Sequence, residues 1–179
     1  MSYTQPNSLK LCVLAFMVLV APTACSKPDD AGEGRHVELA PPVAFDSGTV
    51  LLKTDSDTLE LSVEIARTNQ QRSYGLMERE HLDEDAGMLF VYPNQQDGDV
   101  GFWMFRTLIP LDIAFIDREG KIVAIRQMEP CPSPNPQVCP IYSPGKPYLT
   151  ALEVNRGYFA DRNIDVGDRV VLVEEEPGH

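Results

Sequence analysis

The clearest pattern along the chain is a strict alternation within Asp57–Ala66. Four aliphatic residues, Leu59, Leu61, Val63 and Ile65, are each separated by one polar residue. Successive side chains of a β-strand point to opposite faces, so this period of two predicts a strand with one face on a core and one face polar.

Other short apolar segments, bounded by Gly, Pro or Asp, predict further strands. Gly87–Tyr92 is apolar throughout, which indicates a strand buried on both faces and closed by Pro93. Gly120 is expected to allow the positive φ of a hairpin turn. The remaining predicted strands are Thr49–Lys53, Gly101–Arg106, Leu111–Asp117, Lys121–Gln127, Leu149–Val154 and Arg169–Glu174.

Little helix is expected. Thr68 and Gln71 have the spacing of a capping box, which predicts a short helix that runs to about Tyr74 and stops at Gly75. Gly157–Asn163 is expected to form a second short helix or a turn. These elements together predict a mainly β fold, a single-domain antiparallel β-sandwich or open barrel with one or two short helices.

The domain boundaries follow from composition. The chain has 179 residues, 43% of them apolar and 23% charged, which suits one domain of ordinary size. We place the mainly β domain at residues 45–175, with 176–179 as a tail. Residues 25–44 are rich in small, charged, Pro and Gly residues and are expected to be a flexible tether.

Residues 1–24 are expected to be a signal peptide. The apolar run Leu11–Ala21 follows Lys10 and is shorter than the roughly 20 residues that a membrane-spanning helix needs. The small residues before Cys25 resemble a bacterial lipobox, although Pro22 stands where a Leu-like residue is usual. We expect lipidation of Cys25; ordinary signal-peptidase cleavage and retention of the segment as an anchor are the alternatives.

These features predict a place in the cell envelope. The chain is expected to face the periplasm and to contact a membrane through its lipid anchor. Ser26, rather than Asp, at the second mature position favours the outer membrane. Acidic residues outnumber basic residues by 27 to 15, for a net charge of −12, so no nucleic-acid partner is expected. No phosphate loop or dinucleotide fingerprint is present, and no cofactor is expected.

Cys131 and Cys139 lie in a Pro-rich loop. In an exported protein two nearby cysteines usually pair, so we expect a disulfide. A metal site is the alternative, but only His81 is present in the domain to join the two thiolates, and no metal is expected. A Cu(I) site built from methionines is a lesser alternative, because Met77, Met88, Met104 and Met128 have the irregular spacing of core residues.

Several segments together resemble one known family. They are Arg72–Arg79, Gly87–Phe90, Phe102–Met104, Thr107–Phe115 and Gly167–Val170. The resemblance, to domain of unknown function 192 (uncharacterised protein family 0127), spans about Val63 to Val173. It implies a small, mainly β domain, often exported or lipid-anchored, and no established activity. This chain departs from the family at Phe105-Arg106, where many members have Lys or Arg followed by Asn.

Asp112 is the most suggestive residue for binding, because it places a carboxylate inside the apolar segment Leu111–Phe115. A buried carboxylate needs a partner or a proton. Arg72 and Arg79 are the candidate partners. A structural ion pair is the simpler interpretation, and a polar pocket in which Arg72, Arg79 and Asp112 orient a ligand is the functional one.

Trp103 is the only tryptophan. In a strand, Phe102 and Met104 would face one side, and Trp103 and Phe105 the other. We expect both pairs to be buried. If one pair lies outside the core, Trp103 would give the ligand pocket an aromatic floor.

The sequence thus favours a binding or accessory module for a small polar ligand, such as a saccharide or another envelope component. An envelope hydrolase is the rival, using Asp112 with a second carboxylate such as Glu78 or Glu80. Glycoside hydrolysis would need the two carboxylates about 5–10 Å apart across a cleft. A structural or interaction domain without a small ligand is the third interpretation.

Overall fold

Strands dominate the domain, as the alternation predicts. The structure is a computed structural model that describes residues 43–173; the predicted signal peptide, Cys25, most of the tether and the tail lie outside this range. The mainly β fold with two short helices is confirmed. In chain order the elements are β1 (Asp46–Lys53), β2 (Thr58–Ala66), α1 (Asn69–Tyr74), β3 (Ala86–Gln96), β4 (Leu111–Ile116), β5 (Ile122–Met128), β6 (Tyr148–Asn155), α2 (Tyr158–Asp161) and β7 (Arg169–Val173), with a short 3₁₀ helix at Pro136–Val138.

Within residues 43–173 the strands form one open sheet in the order β5-β4-β6-β3-β2-β1-β7. Neighbours are antiparallel except β2 and β3, which run parallel because the chain crosses over through α1 and residues 75–85 between them. The sheet is therefore mixed, and a second sheet that would make a sandwich is not among the described elements.

The two edge strands meet at one end of the sheet. The backbone N–H of Ile122 donates to the carbonyl of Asp168 at 2.8 Å, and the N–H of Val170 donates to the carbonyl of Gly120 at 2.8 Å. Gly120 has a φ of 80°, as its predicted turn requires. Farther along β5, the Arg126 guanidinium donates to the carbonyl of Ile125 at 2.8 Å.

The sheet has a core on each face. The face that we call inner carries Leu61, Val63 and Ile65 of β2 and packs on Tyr158 and Phe159 of α2. The alternation predicted for β2 is thus confirmed.

The outer face is the other side of the sheet. It carries Met88 and Phe90 of β3, whereas Leu89 faces inward, so the apolar run of β3 is buried on both faces. Loop residues such as Leu76, Phe102 and Cys139 complete the outer core. We call residues 75–85, 97–109 and 129–147 the covering segments.

The capping box predicted at the start of α1 is confirmed. The Thr68 hydroxyl accepts a hydrogen bond from the Gln71 N–H at 3.1 Å, and the Gln71 side chain accepts one from the Thr68 N–H at 2.9 Å. Gly75 follows the helix with a φ of 52°.

Cys131 and Cys139 form the expected disulfide.

Two predictions about strands are wrong. β3 continues past Pro93 to Gln96, with an irregular register after Val91. Residues 101–106 form no strand and make only the isolated bridges Phe102–Tyr142 and Phe105–Cys131. No helix among residues 43–173 combines the length and the apolar character that crossing a membrane requires.

Candidate functional site

Asp112 lies in β4 and is 2% exposed. Its neighbours across the strands are Gln127 of β5 and Val154 of β6. It shares the inner face with Ala114, because the two positions are two residues apart on the same strand. The prediction that this carboxylate is buried in an apolar strand is therefore confirmed.

A backbone amide, not an arginine, binds the Asp112 carboxylate. Its Oδ2 accepts a hydrogen bond from the N–H of Gly157 at 3.0 Å. Gly157 has a φ of 86° and precedes α2. The second oxygen, Oδ1, is buried and has no hydrogen-bond partner in the described part of the chain. Burial raises the pKa of Asp112, while the Gly157 amide and the nearby Arg156 lower it in part.

Asp112 lines a shallow groove of about 440 Å³ at the edge strand β5, which we call the Asp112 groove. Phe159 and Ile164 form an apolar wall opposite Ile125 and Gln127. Basic residues lie at the rim. They are Arg126, whose guanidinium also donates to the carbonyl of Pro144 at 2.9 Å, and Lys146.

The expected pairing of Asp112 with Arg72 and Arg79 is wrong. Arg72 donates to the carbonyl of Val91 at 2.9 Å, and its guanidinium carbon lies 4.8 Å from the ring centre of Tyr92. Arg79 pairs with Glu64, with 2.5 Å between Nη2 and Oε2. The cause is topological: these partners belong to β2, β3 and the outer face, whereas Asp112 faces inward.

Arg79 lines a second concavity, of about 530 Å³, between β1, β2 and the residues that follow Arg79. Ser47 and Ser62 contribute hydroxyl groups, and His81 lies 2.8 Å from a carboxylate oxygen of Asp83. We call it the Arg79 concavity. Among its lining residues, Arg79 is paired with Glu64, and His81 with Asp83.

Trp103 lines neither the Asp112 groove nor the Arg79 concavity. It is 40% exposed, so the expectation that it is buried is wrong, and its ring centre lies 5.6 Å from that of Phe105. The alternation predicted for this segment is nevertheless present, since Phe102 and Met104 are buried. The four predicted binding residues therefore lie at separate places.

The second carboxylate considered for a hydrolase is not beside Asp112. Glu78 forms an ion pair with Arg106 in the covering segments, and Glu80 is exposed. Among the described residues that line the Asp112 groove, the second acid is Asp165.

Sequence reasoning missed Glu153. It lies on β6 between Met88 of β3 and Ile113 of β4, on the outer face, and is 4% exposed. Its backbone pairs with Met88 and Ile113, but its side chain makes no hydrogen bond or ion pair within residues 43–173. Burial raises its pKa to about 8. The signal was available, because Glu153 is a lone acid between Leu152 and Val154, as Asp112 is within its own strand.

The backbone at Arg106 suits the Asn that the family resemblance implies at this position. Arg106 has a φ of 57°, in the left-handed region that Asn tolerates better than Arg. Its carbonyl accepts a hydrogen bond from the N–H of Glu78, which itself has a φ of 63°. An Asn at position 106 would therefore adopt this left-handed backbone more readily than Arg. Residue 106 does not line the Asp112 groove, so the replacement of Asn by Arg leaves the groove unchanged.

The described part of the chain contains no preformed metal site. No group of three or more His, Cys, Asp or Glu side chains within residues 43–173 is arranged to hold a metal ion. Met88, Met104 and Met128 are fully buried in the outer core, and Met77 is half-buried.

Comparison with known proteins agrees with the resemblance seen in the sequence. The profile of DUF192, described as "Uncharacterized ACR, COG1430", matches residues 50–172. The chain belongs to this family. No curated protein matches the chain of this DUF192 member.

Two solved structures are similar to this DUF192 protein. One, from Sinorhizobium meliloti and described as a candidate transcription regulator, is 33% identical, with a TM-score of 0.65, and the match covers 74% of this chain and 98% of that one. The other, a protein of unknown function from Novosphingobium aromaticivorans, is 29% identical, with a TM-score of 0.58, over 73% of this chain and 89% of that one.

Proposed function

We propose that this DUF192 protein is a binding module of the cell envelope, anchored by acylated Cys25, whose domain holds a small polar ligand in the Asp112 groove. The observation that carries the proposal is the free oxygen of Asp112. Its Oδ1 is buried without a partner while Oδ2 is fixed by Gly157. A buried acceptor without a donor costs free energy, and a ligand whose donor reaches Oδ1 after the side chains of the groove move aside recovers it.

The groove indicates the chemistry of the ligand. Asp112 Oδ1 requires an O–H or N–H donor. Gln127 and Lys146 offer further polar groups at the rim, and Phe159 offers an apolar wall. A saccharide combines hydroxyl donors with an apolar ring face, so it fits this combination better than a purely apolar or a strongly anionic ligand.

Export is supported by the apolar run Leu11–Ala21, by the small residues before Cys25, and by the disulfide of the domain. The regulator description of the Sinorhizobium protein is not carried over, because a net charge of −12 disfavours contact with phosphate backbones. Attachment of a radiolabelled fatty acid to the wild-type chain, and its loss in Cys25→Ala, would test the anchor.

Ligand binding is tested by calorimetry and thermal shift against a panel of neutral and amino sugars. We expect Asp112→Asn to weaken binding about tenfold or more, because the charge-assisted hydrogen bond is lost. Arg79→Gln is the matched control in the other concavity and should leave affinity unchanged. If Arg79→Gln weakens binding and Asp112→Asn does not, or if no sugar binds at millimolar concentration, the proposal is wrong.

The same samples test the hydrolase rival. In that case Asp112 would work with Asp165, the other acid of the groove. Release of reducing sugar by the wild type, and its loss in Asp165→Asn, would favour an enzyme over a binding module.

A further inference from the structure

Exposed apolar side chains are concentrated on the covering segments. Within residues 43–173, five of the eight large apolar side chains that are exposed lie in residues 100–108 and 138–141. Three of them are Trp103 at 40% exposed, Val138 at 63% and Ile141 at 60%. Single exposed apolar residues are ordinary, but a cluster marks an interaction surface.

The backbone brings these side chains together. Phe102 and Tyr142 exchange two backbone hydrogen bonds, of 3.0 and 2.8 Å, as an antiparallel bridge. Trp103 and Ile141 are therefore directly opposite each other and face away from buried Phe102. The ring of Phe105 extends the surface beside Trp103. We call Trp103, Phe105 and Ile141 the Trp103 patch.

Gly101 supports this arrangement. A Cβ atom at Gly101 would lie 2.8 Å from Cγ2 of Ile141 and 2.6 Å from the carbonyl oxygen of Tyr142. Glycine therefore allows the two covering segments to approach closely beside Ile141. A preformed patch loses little conformational freedom when it binds.

We propose that the Trp103 patch docks on the surface of a lipid bilayer, an inference that rests on the proposed anchoring at Cys25. Val43, the first described residue, lies 18 residues after Cys25, and that length of chain spans at most about 65 Å, so an anchored domain stays near the membrane. The effective concentration of the bilayer is then high, and a small apolar surface suffices for docking.

The point at which the chain enters the domain agrees with this orientation. Phe45 packs against the outer core, and the side chain of Gln71 donates to the carbonyl of Ala44 at 2.9 Å. The entering chain and the covering segments thus both contact the outer core. Trp103, Phe105 and Ile141 do not line the Asp112 groove, although Pro144 and Lys146 of the third covering segment do.

The chemistry of the patch fits the interfacial region of a bilayer. An indole ring has an apolar body and one N–H donor, and it prefers the boundary between headgroups and acyl chains. Because the protein has a net charge of −12, we expect zwitterionic lipids to bind it better than anionic lipids at low salt.

The experiment uses the chain from residue 25 onward with Cys25→Ser, which removes the acyl chain, and phosphatidylcholine vesicles. Trp103 is the only tryptophan, so intrinsic fluorescence reports on the patch alone. We expect vesicles to shift the emission to shorter wavelength and brominated lipids to quench it. Ile141→Ser keeps the reporter and should weaken partition about fivefold or more.

The matched control is Val171→Ser on β7, where the native side chain is 39% exposed. It should bind vesicles as the unmutated chain does. The proposal is overturned if both variants weaken binding equally. It is also overturned if vesicles leave the emission unchanged, or if the emission shifts instead with protein concentration as copies of the chain associate. Acylation of Cys25 is measured separately, so a domain that is anchored but does not dock refutes the docking alone.

Discussion

Asp112 and Glu153 are buried acids on neighbouring strands that face opposite sides of one sheet. Ile113, the residue after Asp112, is the cross-strand neighbour of Glu153. Asp112 accepts a backbone hydrogen bond and lines a groove, whereas the buried side chain of Glu153 faces the outer core and has no hydrogen-bond partner among residues 43–173. The comparison separates a carboxylate that a backbone amide binds from one whose burial favours the protonated form.

The largest expected effect is on the pH dependence of stability. Glu153 has a folded pKa of about 8, above its ordinary value of 4.5. Between these values the unfolded chain has lost the proton and the folded chain retains it, so stability falls as pH rises through this window. The loss amounts to about 4 kcal/mol by pH 8 and approaches about 5 kcal/mol above it. Urea denaturation from pH 4 to 9 measures it.

Glu153→Gln has no proton to lose and should be much less sensitive to pH in this window. Glu60→Gln, at an exposed position on β2, is the control and should keep the wild-type profile. A Glu153→Gln profile that is as steep as the wild-type profile would show that Glu153 is ionised in the folded protein.

The second prediction concerns the Gly157 hydrogen bond to Asp112. Asp112→Ala removes the acceptor and should cost about 1–2 kcal/mol, because the Gly157 N–H loses its partner. Asp112→Asn keeps a carbonyl oxygen for Gly157 and should cost less than about 1 kcal/mol. Thermal denaturation of both variants would test this order, and equal losses would argue that the hydrogen bond contributes little.

The smallest expected effect lies in the covering segments. Arg106→Asn should stabilise the protein by about 1 kcal/mol relative to Arg106→Lys, because Asn tolerates the left-handed backbone and Lys does not. The lysine variant controls for the lost guanidinium contact with Glu78. If the two variants are equally stable, the backbone at Arg106 is not strained enough to matter.

Much of the fold could be predicted because it depends on local patterns. The alternation of β2, the apolar run of β3 and the capping box of Thr68 each act over a few residues. The parallel pairing of β2 and β3 could not be predicted in this way, since it depends on the path of residues 75–85. The burial of Trp103 could not be predicted for a related reason. Alternation places its side chain on the side of the chain opposite Phe102, but only the packing of the covering segments determines whether that side is buried.

The candidate site was only partly predictable. An acid within an apolar strand identified Asp112, and the same signal was present at Glu153. The partner of Asp112 could not be predicted, because it is the backbone amide of Gly157, 45 residues away, which carries no side-chain signal. Arg72 and Arg79 were suitable in charge but belong to the other face of the sheet.

The arrangement of β5 and β7 affects how copies of this protein behave when they are crowded. The first residues of the two strands are joined by backbone hydrogen bonds, and the carbonyl of Ile125 accepts a hydrogen bond from the Arg126 guanidinium. A second chain therefore finds no unbroken row of free amides and carbonyls along β5 on which to add a strand. Edge-to-edge pairing of two copies along β5 is thereby disfavoured.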